Sequence, residues 1–343
     1  MNASPLFSVC IPAYNVAHIL GATIRSALAQ TVTDFELIIV DDASTDGTAE
    51  VARSFGDPRV RLERNASNLG YPGNLARCFS LARGTFVYLL GNDDVLSPYA
   101  LARALEAFAL DPDVAIITRP YYWFEGDDVS RPVRHVPPLD ARQDRVVSVD
   151  ADDTTLIAVF ETLGQFSSLA FRREMIEGEV DPPVFTAHVR PFLTTWKKHK
   201  AVFLHDYVVA VRTESSQTRY LPSIYEPSPI WTWVQLFQSV FAEQRFARQR
   251  RLACWNIAGH VYGLAQIRCR AAYRIYLREA AIMVRYRPQN LLRPAFWATF
   301  LGFALLPRAV LIPLVDRLKG PLTGTSRRPI TLSGHAIAGS VQP

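Results

Sequence analysis

The first 120 residues alternate between short apolar runs and amphipathic segments. The apolar runs are typical of buried strands, and the segments between them have the 3.6-residue periodicity of helices. The predicted strands are residues 6–13, 35–40, 60–63, 86–90 and 114–118. The predicted helices are residues 18–30, a helix from residue 48, residues 74–83 and residues 101–110. Alternation of this kind predicts an α/β fold with a doubly wound, mainly parallel sheet.

Polar residues follow three of the predicted strands. Pro12 ends the first strand and puts Tyr14 and Asn15 on a loop, and the second strand ends in Asp41 and Asp42. The run at residues 86–90 is followed by Gly-Asn and then by two adjacent carboxylates, Asp93 and Asp94. Ligands of such sheets bind beyond the carboxyl ends of the strands, so we expect the three clusters to meet at one edge.

The middle of the chain has a weaker pattern. Residues 125–155 are polar and are predicted to be a long surface excursion, whereas residues 162–173 return to the core. A helix is predicted for residues 184–196 and a final strand for residues 201–211. Beyond residue 229 the pattern is helical, so we predict an α/β domain (1–225), a helical region (226–320) and a disordered tail (321–343).

Charge separates the carboxyl-terminal third from the rest. The chain has a net charge of +5, but residues 241–343 contain 16 Arg or Lys and only three acids, a net charge of +13. A basic, aromatic-rich region suggests an anionic partner, either a lipid surface or nucleic acid. The uncharged run at residues 294–307 favours the lipid surface over nucleic acid.

The uncharged run is too short to be a regular membrane span. It has 14 residues, and a helix needs roughly 20 to cross a bilayer. We therefore predict a helix within residues 294–315 that lies in the membrane interface. The basic residues expected in the headgroups are Arg285, Arg287, Arg293, Arg317 and Lys319. A full span and a core or homo-oligomer interface are the alternatives.

Cysteine usage and the amino terminus bear on location. The four cysteines have no metal-type or disulfide-framework spacing, and no basic segment with an apolar signal core opens the sequence. We expect a reducing, cytoplasmic location, with peripheral attachment to the inner face of the plasma membrane.

The strand-end residues suggest a chemistry. Carboxylates suit Mg²⁺ or Mn²⁺, which usually also coordinate phosphate oxygens, so a diphosphate partner is expected. Asp41 is placed to accept hydrogen bonds from a base or ribose, and Tyr14 offers a ring for stacking. Neither G-x-G-x-x-G after the first strand nor G-x-x-x-x-G-K-[ST] occurs, which disfavours dinucleotide and P-loop chemistry.

Four segments together carry a resemblance. Residues 9–15, 35–48, 68–74 and 83–94 resemble the family-2 glycosyltransferases of the GT-A fold, the kind that builds bacterial surface polysaccharides. The resemblance implies inverting transfer of a sugar from a nucleoside diphosphate sugar, with a divalent cation. The implied donor-binding residues are Pro12, Tyr14, Asn15, Asp41, Asn74 and Asp93, and the implied metal ligands are Asp94 and, beside it, Asp93.

Two departures from the family pattern affect the site. Gly91 stands where the family often has a further Asp. The family's catalytic acid is replaced in the aligned region by His188, which we nominate as the base because imidazole can deprotonate a hydroxyl near neutral pH. Asp181 is the reserve, and a structural histidine is the alternative for His188.

These observations lead to one main hypothesis. The protein is predicted to transfer a sugar to a hydroxyl of a lipid-linked glycan acceptor. The alternative is a non-catalytic nucleotide-sugar-binding or scaffolding protein at the membrane. We interpret Trp231 and Trp233 as core or interface residues rather than a sugar platform, and Arg212 as a surface residue rather than a diphosphate ligand.

Overall fold

A computed structural model gives the fold. It describes residues 4–180, 182–183, 186–213, 225–226, 228–307, 309–313 and 332. The strands within these ranges are β1 (Phe7–Ala13), β2 (Phe35–Asp41), β3 (Val60–Arg64), β4 (Phe86–Leu89), β5 (Val95–Leu96), β6 (Val114–Thr118), β7 (Tyr121–Phe124), β8 (Pro132–Val136), β9 (Arg145–Val147), β10 (Ala170–Arg172), β11 (Lys200–Phe203) and β12 (Val209–Arg212).

The α-helices of the same ranges flank the sheets and form most of the carboxyl-terminal region. They are α1 (Ala17–Leu28), α2 (Thr48–Ser54), α3 (Gly70–Leu81), α4 (Ala100–Phe108), α5 (Asp153–Thr162), α6 (Val189–Trp196), α7 (Pro229–Val240), α8 (Ala247–Ile257), α9 (Tyr262–Arg270), α10 (Tyr273–Tyr286) and α11 (Pro294–Leu305).

The main sheet has eight strands in the order β3-β2-β1-β4-β10-β6-β11-β9. Strands β1 to β4 pair in parallel, as predicted, and so do β6 and β11. Strand β10 is antiparallel to both β4 and β6, and β9 is antiparallel to β11. The carboxyl ends of β1, β2, β4, β6 and β11 therefore lie at the same edge of the sheet.

One prediction for the middle of the chain is wrong and another is incomplete. Residues 201–211 form two strands rather than one, because β11 belongs to the main sheet and β12 to a second sheet with the order β5-β12-β7-β8. The polar stretch 125–155 is not only a surface excursion, since it supplies β8 and β9.

Both faces of the main sheet are covered by apolar side chains. Strand β1 alternates between the layers: Val9 and Ile11 pack with α1 and α4, whereas Cys10 packs with α3 and the later helices. Burying a Val or Ile side chain contributes roughly 1.5–3 kcal/mol, so a fully buried strand of this kind anchors the fold.

The carboxyl-terminal helices share the core of the α/β part. Phe237 of α7 lies 5.8 Å from the ring of Phe160 on α5, and Phe160 contacts Trp196 of α6. Ser228 caps α7 by accepting a 3.1 Å hydrogen bond from the backbone N–H of Trp231. The domain division at residues 225 and 226 stays a prediction. The predicted tail lies outside the described residues apart from residue 332.

Candidate functional site

The loops after β1, β2 and β4 meet at the carboxyl edge of the main sheet. Ala13 and Asp41 are register partners at the ends of β1 and β2. The side-chain amide of Asn92, after β4, donates to the carbonyl of Pro12 at 2.9 Å, which ties the first and third loops together. The expected convergence of the three polar clusters is confirmed.

Asp41 has a buried carboxylate, and only one of its two oxygens accepts a hydrogen bond from the described residues. Its Oδ1 accepts from the backbone N–H of Ser44 at 3.1 Å. Its Oδ2 is 3.3 Å from Arg64 Nε, outside hydrogen-bond geometry, and has no hydrogen-bond partner among the described residues. An unsatisfied buried acceptor costs about 1–3 kcal/mol, so a ligand N–H or O–H at this oxygen would be stabilising.

The neighbouring asparagines hold the loops in shape. Asn15 has a left-handed backbone (φ 51°), and its Oδ1 accepts from the backbone N–H of Thr45 at 2.8 Å. Asn74 is buried and donates to the carbonyl of Val40 at 3.0 Å. Both side chains therefore bond to the backbone of the site, and their implied contact with the donor stays a prediction. Tyr14 is half-buried beside them.

Asp94 is held from two sides beneath Asp93. Its Oδ2 accepts from the hydroxyl of Ser167, and its Oδ1 accepts from the backbone N–H of Arg212 at 2.9 Å. Burial and the adjacent charge of Asp93 raise the pKa of Asp94 well above its ordinary value. A bound cation would relieve both effects, because it supplies the positive charge that stabilises the two ionised carboxylates.

The glycine at position 91 is a packing requirement. A Cβ built there would lie 2.6 Å from Asp94 Oδ2, 2.8 Å from Ser167 Oγ and 3.1 Å from Asp93 Oδ1. A third acid at this position therefore does not fit the arrangement. The two remaining carboxylates, Asp93 half-buried and Asp94 buried, still form a donor set suited to Mg²⁺ or Mn²⁺.

Arg119, Ser167 and Arg212 support the acid pair, although the sequence did not point to these roles. Arg119 is wholly buried and donates to the carbonyl of Ser167 at 2.6 Å. Arg212 is also buried, which corrects its interpretation as a surface residue, and donates to the carbonyl of Asp93 at 3.3 Å. Arg119 directly follows a predicted strand, the same signal that identified Asp41 and Asp93.

His188 is less open than a general base should be. Its Nε2–H donates to the carbonyl of Leu163 at 2.9 Å, which leaves Nδ1 as the acceptor, 3.2 Å from the hydroxyl of Tyr71. Burial lowers the pKa of His188 to about 4, so the ring is neutral at physiological pH. An acceptor hydroxyl could reach Nδ1 only by displacing Tyr71. The base role stays a prediction, and Asp181 lies outside the described residues.

A second acidic group lies beyond β6 at the same edge. The ligand-type atoms of Asp144, His205 and Asp206 are within 4.8 Å of one another. Arg103 already pairs with Asp144 at 2.8 Å and with Asp206 at 3.2 Å. Because the positive guanidinium lies against both carboxylates and would repel a cation there, we favour Asp93 and Asp94 as the cation site.

Comparison with known proteins gives a family match for the amino-terminal half of the chain. The description "Glycosyl transferase family 2" matches residues 8–169. The chain is 36% identical over 141 residues to the hyaluronan synthase of Pasteurella multocida, which covers 36% of this chain and 14% of that protein. The matched segments span 14–39% of the length of the first curated relatives.

Solved structures share the fold over most of the chain. S. aureus TarS 1–349 in complex with UDP-GlcNAc has a TM-score of 0.59 at 13% identity, with 91% of both chains covered. The mannosyltransferase PcManGT of Pyrobaculum calidifontis, in complex with GDP-Man and Mn²⁺, has a TM-score of 0.53 at 17% identity and covers 92% of this chain and 89% of that one. Residues 8–169 therefore match glycosyl transferase family 2, and the chain shares its fold with these two solved structures.

Proposed function

We propose that the protein transfers a sugar, with inversion, from a nucleoside diphosphate sugar to a hydroxyl of a lipid-linked glycan in surface polysaccharide assembly. The observation that carries the proposal is the buried Oδ2 of Asp41, which pairs with Arg64 at 3.3 Å but accepts no hydrogen bond from the described residues, at the same sheet edge as Asp93 and Asp94. The edge thus offers an acceptor for a nucleoside and carboxylates for a metal-bound diphosphate. TarS and PcManGT, which share the fold, bind UDP-GlcNAc and GDP-Man.

The residues of the site would have different roles in the reaction. Asp41 would accept a hydrogen bond from the base or ribose, and Tyr14 would stack on the base. Asp93 and Asp94 would hold Mg²⁺ or Mn²⁺, which offsets the charge of the departing diphosphate. Ser167 and Arg212 keep Asp94 in place. The acceptor hydroxyl attacks the anomeric carbon in line with the leaving diphosphate, with His188 or Asp181 as candidate bases.

Donor binding is tested by thermal unfolding with UDP, GDP and Mn²⁺. We expect at least one nucleotide to raise the unfolding temperature of the wild-type protein, since a ligand at 100 times its Kd stabilises by about 2.7 kcal/mol. Asp41→Asn should weaken that nucleotide about tenfold or more, because its amide replaces an acceptor by a donor.

Asp57→Asn is the control for nucleotide binding. Asp57 pairs with Arg59 ahead of β3, away from the carboxyl edge of the sheet, so its loss should leave the shift unchanged. No shift with any nucleoside diphosphate would contradict the proposed function. Metal-dependent transfer or hydrolysis of the donor would exclude the non-catalytic alternative.

Membrane attachment is proposed through α11. Phe296 and Phe303 pack into the protein, whereas Trp297, Leu301 and Leu305 form an exposed stripe at four-residue spacing. A helix that is apolar on all sides is normally buried on all sides, by protein or by lipid. Among the described residues no helix has the length and apolarity needed to cross a membrane. The stripe and the net charge of +13 of residues 241–343 suit an anionic leaflet.

Vesicle flotation tests the attachment. The protein should float with phosphatidylglycerol vesicles and less with phosphatidylcholine vesicles. The double variant Leu301→Ser and Leu305→Ser should bind at least tenfold more weakly, because each exposed Leu contributes on the order of 1 kcal/mol when it enters lipid. Leu110→Ser, at a comparably exposed Leu after α4, is the control. Unchanged flotation of the double variant would contradict the assignment, and concentration-dependent dimerisation lost in that variant would favour a second copy as the partner.

A further inference from the structure

A pocket of about 250 Å³ opens between α5, α7 and α8, apart from the acid pair. Trp233 and Phe237 supply one wall, and Glu161, Asn256 and His260 supply polar groups at another. It is smaller than the roughly 300–1,000 Å³ of sites for drug-sized ligands, so a single ring fits better than a nucleotide.

The aromatic wall of the pocket is held in place by the hydrophobic core. Trp233 is only half-buried, although its ring is fixed against Phe237 with centroids 5.7 Å apart. Phe237 in turn packs on Phe160, 5.8 Å away, so the wall is anchored in the main core. A rigid, partly exposed indole presents an apolar surface on which the C–H face of a pyranose can stack.

The polar wall presents a carboxylate with one oxygen in use. Glu161 Oε1 accepts from Asn256 Nδ2 at 2.8 Å and from His260 Nε2 at 2.9 Å. Burial favours the protonated form, but the hydrogen bond and charge of His260, together with the Asn256 bond, hold the pKa of Glu161 below its ordinary value. No hydrogen bond within the described ranges uses Oε2, which leaves this oxygen for sugar hydroxyls.

The residues that line the pocket disfavour a phosphate ligand. Glu161 is ionised, and neither Arg nor Lys is among the described residues that line the pocket. Hydroxyl groups, in contrast, donate readily to a carboxylate and accept from a carboxamide or an imidazole N–H. An uncharged polyhydroxylated ring with an apolar face matches both walls.

The pocket is close to the proposed site of transfer. Gly164 lines it, and Ser167, three residues further on, donates to Asp94. Three residues span at most about 11 Å of backbone. The carbonyl of Leu163, next to Gly164, accepts from His188. The segment of residues 163–167 therefore connects the pocket to the acid pair.

We infer that the pocket is an acceptor subsite that holds one pyranose unit of the growing glycan, with Trp233 as the stacking platform and Glu161 as the hydroxyl acceptor. The inference rests on the proposed transfer reaction. It also revises the interpretation of Trp233 as a core or interface residue, since its ring contacts both the core and the pocket.

Saturation-transfer NMR on the full chain tests the subsite. The probes are the methyl pyranosides of glucose, galactose, mannose, N-acetylglucosamine and N-acetylgalactosamine. At least one should receive saturation from the wild-type protein. Trp233→Ala should weaken its binding about tenfold, and Trp233→Phe should restore most of it. Trp231→Ala is the matched control, because Trp231 packs on the same core but does not line the pocket.

The outcomes separate this inference from the proposed function. UDP and GDP with Mn²⁺ are added to the same samples, and the glycoside signal should persist. Nucleotide binding without any glycoside signal, displacement of the glycoside by nucleotide, or full binding by a folded Trp233→Ala variant would overturn the subsite. Trp233-dependent glycoside binding without nucleotide binding would support the subsite and contradict the proposed donor. Glu161→Gln, which preserves shape, should weaken the glycoside even if Trp233→Ala fails to fold.

Discussion

Asp94→Asn is expected to lower the rate of sugar transfer at saturating Mn²⁺ by about a thousandfold. The metal stabilises the departing diphosphate by several kcal/mol, and about 4 kcal/mol corresponds to three orders of magnitude in rate. A neutral carboxamide is a poor ligand for a hard cation, so the variant should also need more Mn²⁺ for half-maximal activity. Steady-state transfer assays across an Mn²⁺ titration measure both effects.

Stability distinguishes a catalytic loss from a folding loss in this variant. The carbonyl oxygen of the introduced carboxamide can still accept from the backbone of Arg212, and its NH₂ group can donate to Ser167, whose hydroxyl is free to rotate. Removing a buried charge also removes a desolvation cost. We therefore expect the free energy of unfolding to stay within about 1 kcal/mol of the wild-type value. Full activity of a stable Asp94→Asn protein would show that the metal assignment is wrong.

The strand-end acids could be predicted because local pattern encodes them. A buried apolar run followed by Asp41 or by Asp93 identifies the carboxyl end of a strand, and parallel strands bring such ends together. The direction of a strand within the sheet could not be predicted in the same way. The three residues of β10 have no pattern that distinguishes an antiparallel strand, and their place between β4 and β6 depends on contacts distant in sequence.

The supports of the acid pair could not be predicted for a similar reason. Ser167 contacts Asp94 across 73 residues, and a serine in an otherwise apolar segment has many possible roles. Gly91 departs from the family pattern by one missing acid, and the sequence alone gives no reason for this departure. The structure gives a reason, since Ser167 Oγ and Asp94 Oδ2 occupy the space that a side chain at position 91 would need.

The base role predicted for His188 depends on contacts that the local sequence does not encode. The position of His188 in the aligned region predicts a base, but a position in an alignment does not show which hydrogen bonds the ring makes. The hydroxyl of Tyr71, 117 residues away in sequence, is hydrogen-bonded to Nδ1 of His188, the nitrogen that a base would use. Only the packing of α3 against the segment before α6 reveals this contact.

Arg119→Met is expected to lower both the stability and the activity of the protein. The guanidinium donates to the carbonyls of Ser167 at 2.6 Å, Gln165 at 2.9 Å and Thr162 at 3.4 Å. All three lie in the segment that leads from the end of α5 to β10. A buried carbonyl left without a donor costs about 1–3 kcal/mol, and losing the buried charge offsets part of that cost. We expect a net loss of about 3 kcal/mol in the free energy of unfolding, measured by urea titration.

The loss of activity should exceed what unfolding explains. At temperatures where Arg119→Met is fully folded, transfer should be at least tenfold slower, because the Ser167 hydroxyl no longer holds Asp94 in one orientation. Arg119→Lys is the matched variant: it keeps the charge and can satisfy one or two of the carbonyls, so it should recover part of both losses. If Arg119→Met retains wild-type activity and the same Mn²⁺ dependence while losing stability, Arg119 supports the fold alone and Ser167 does not depend on it.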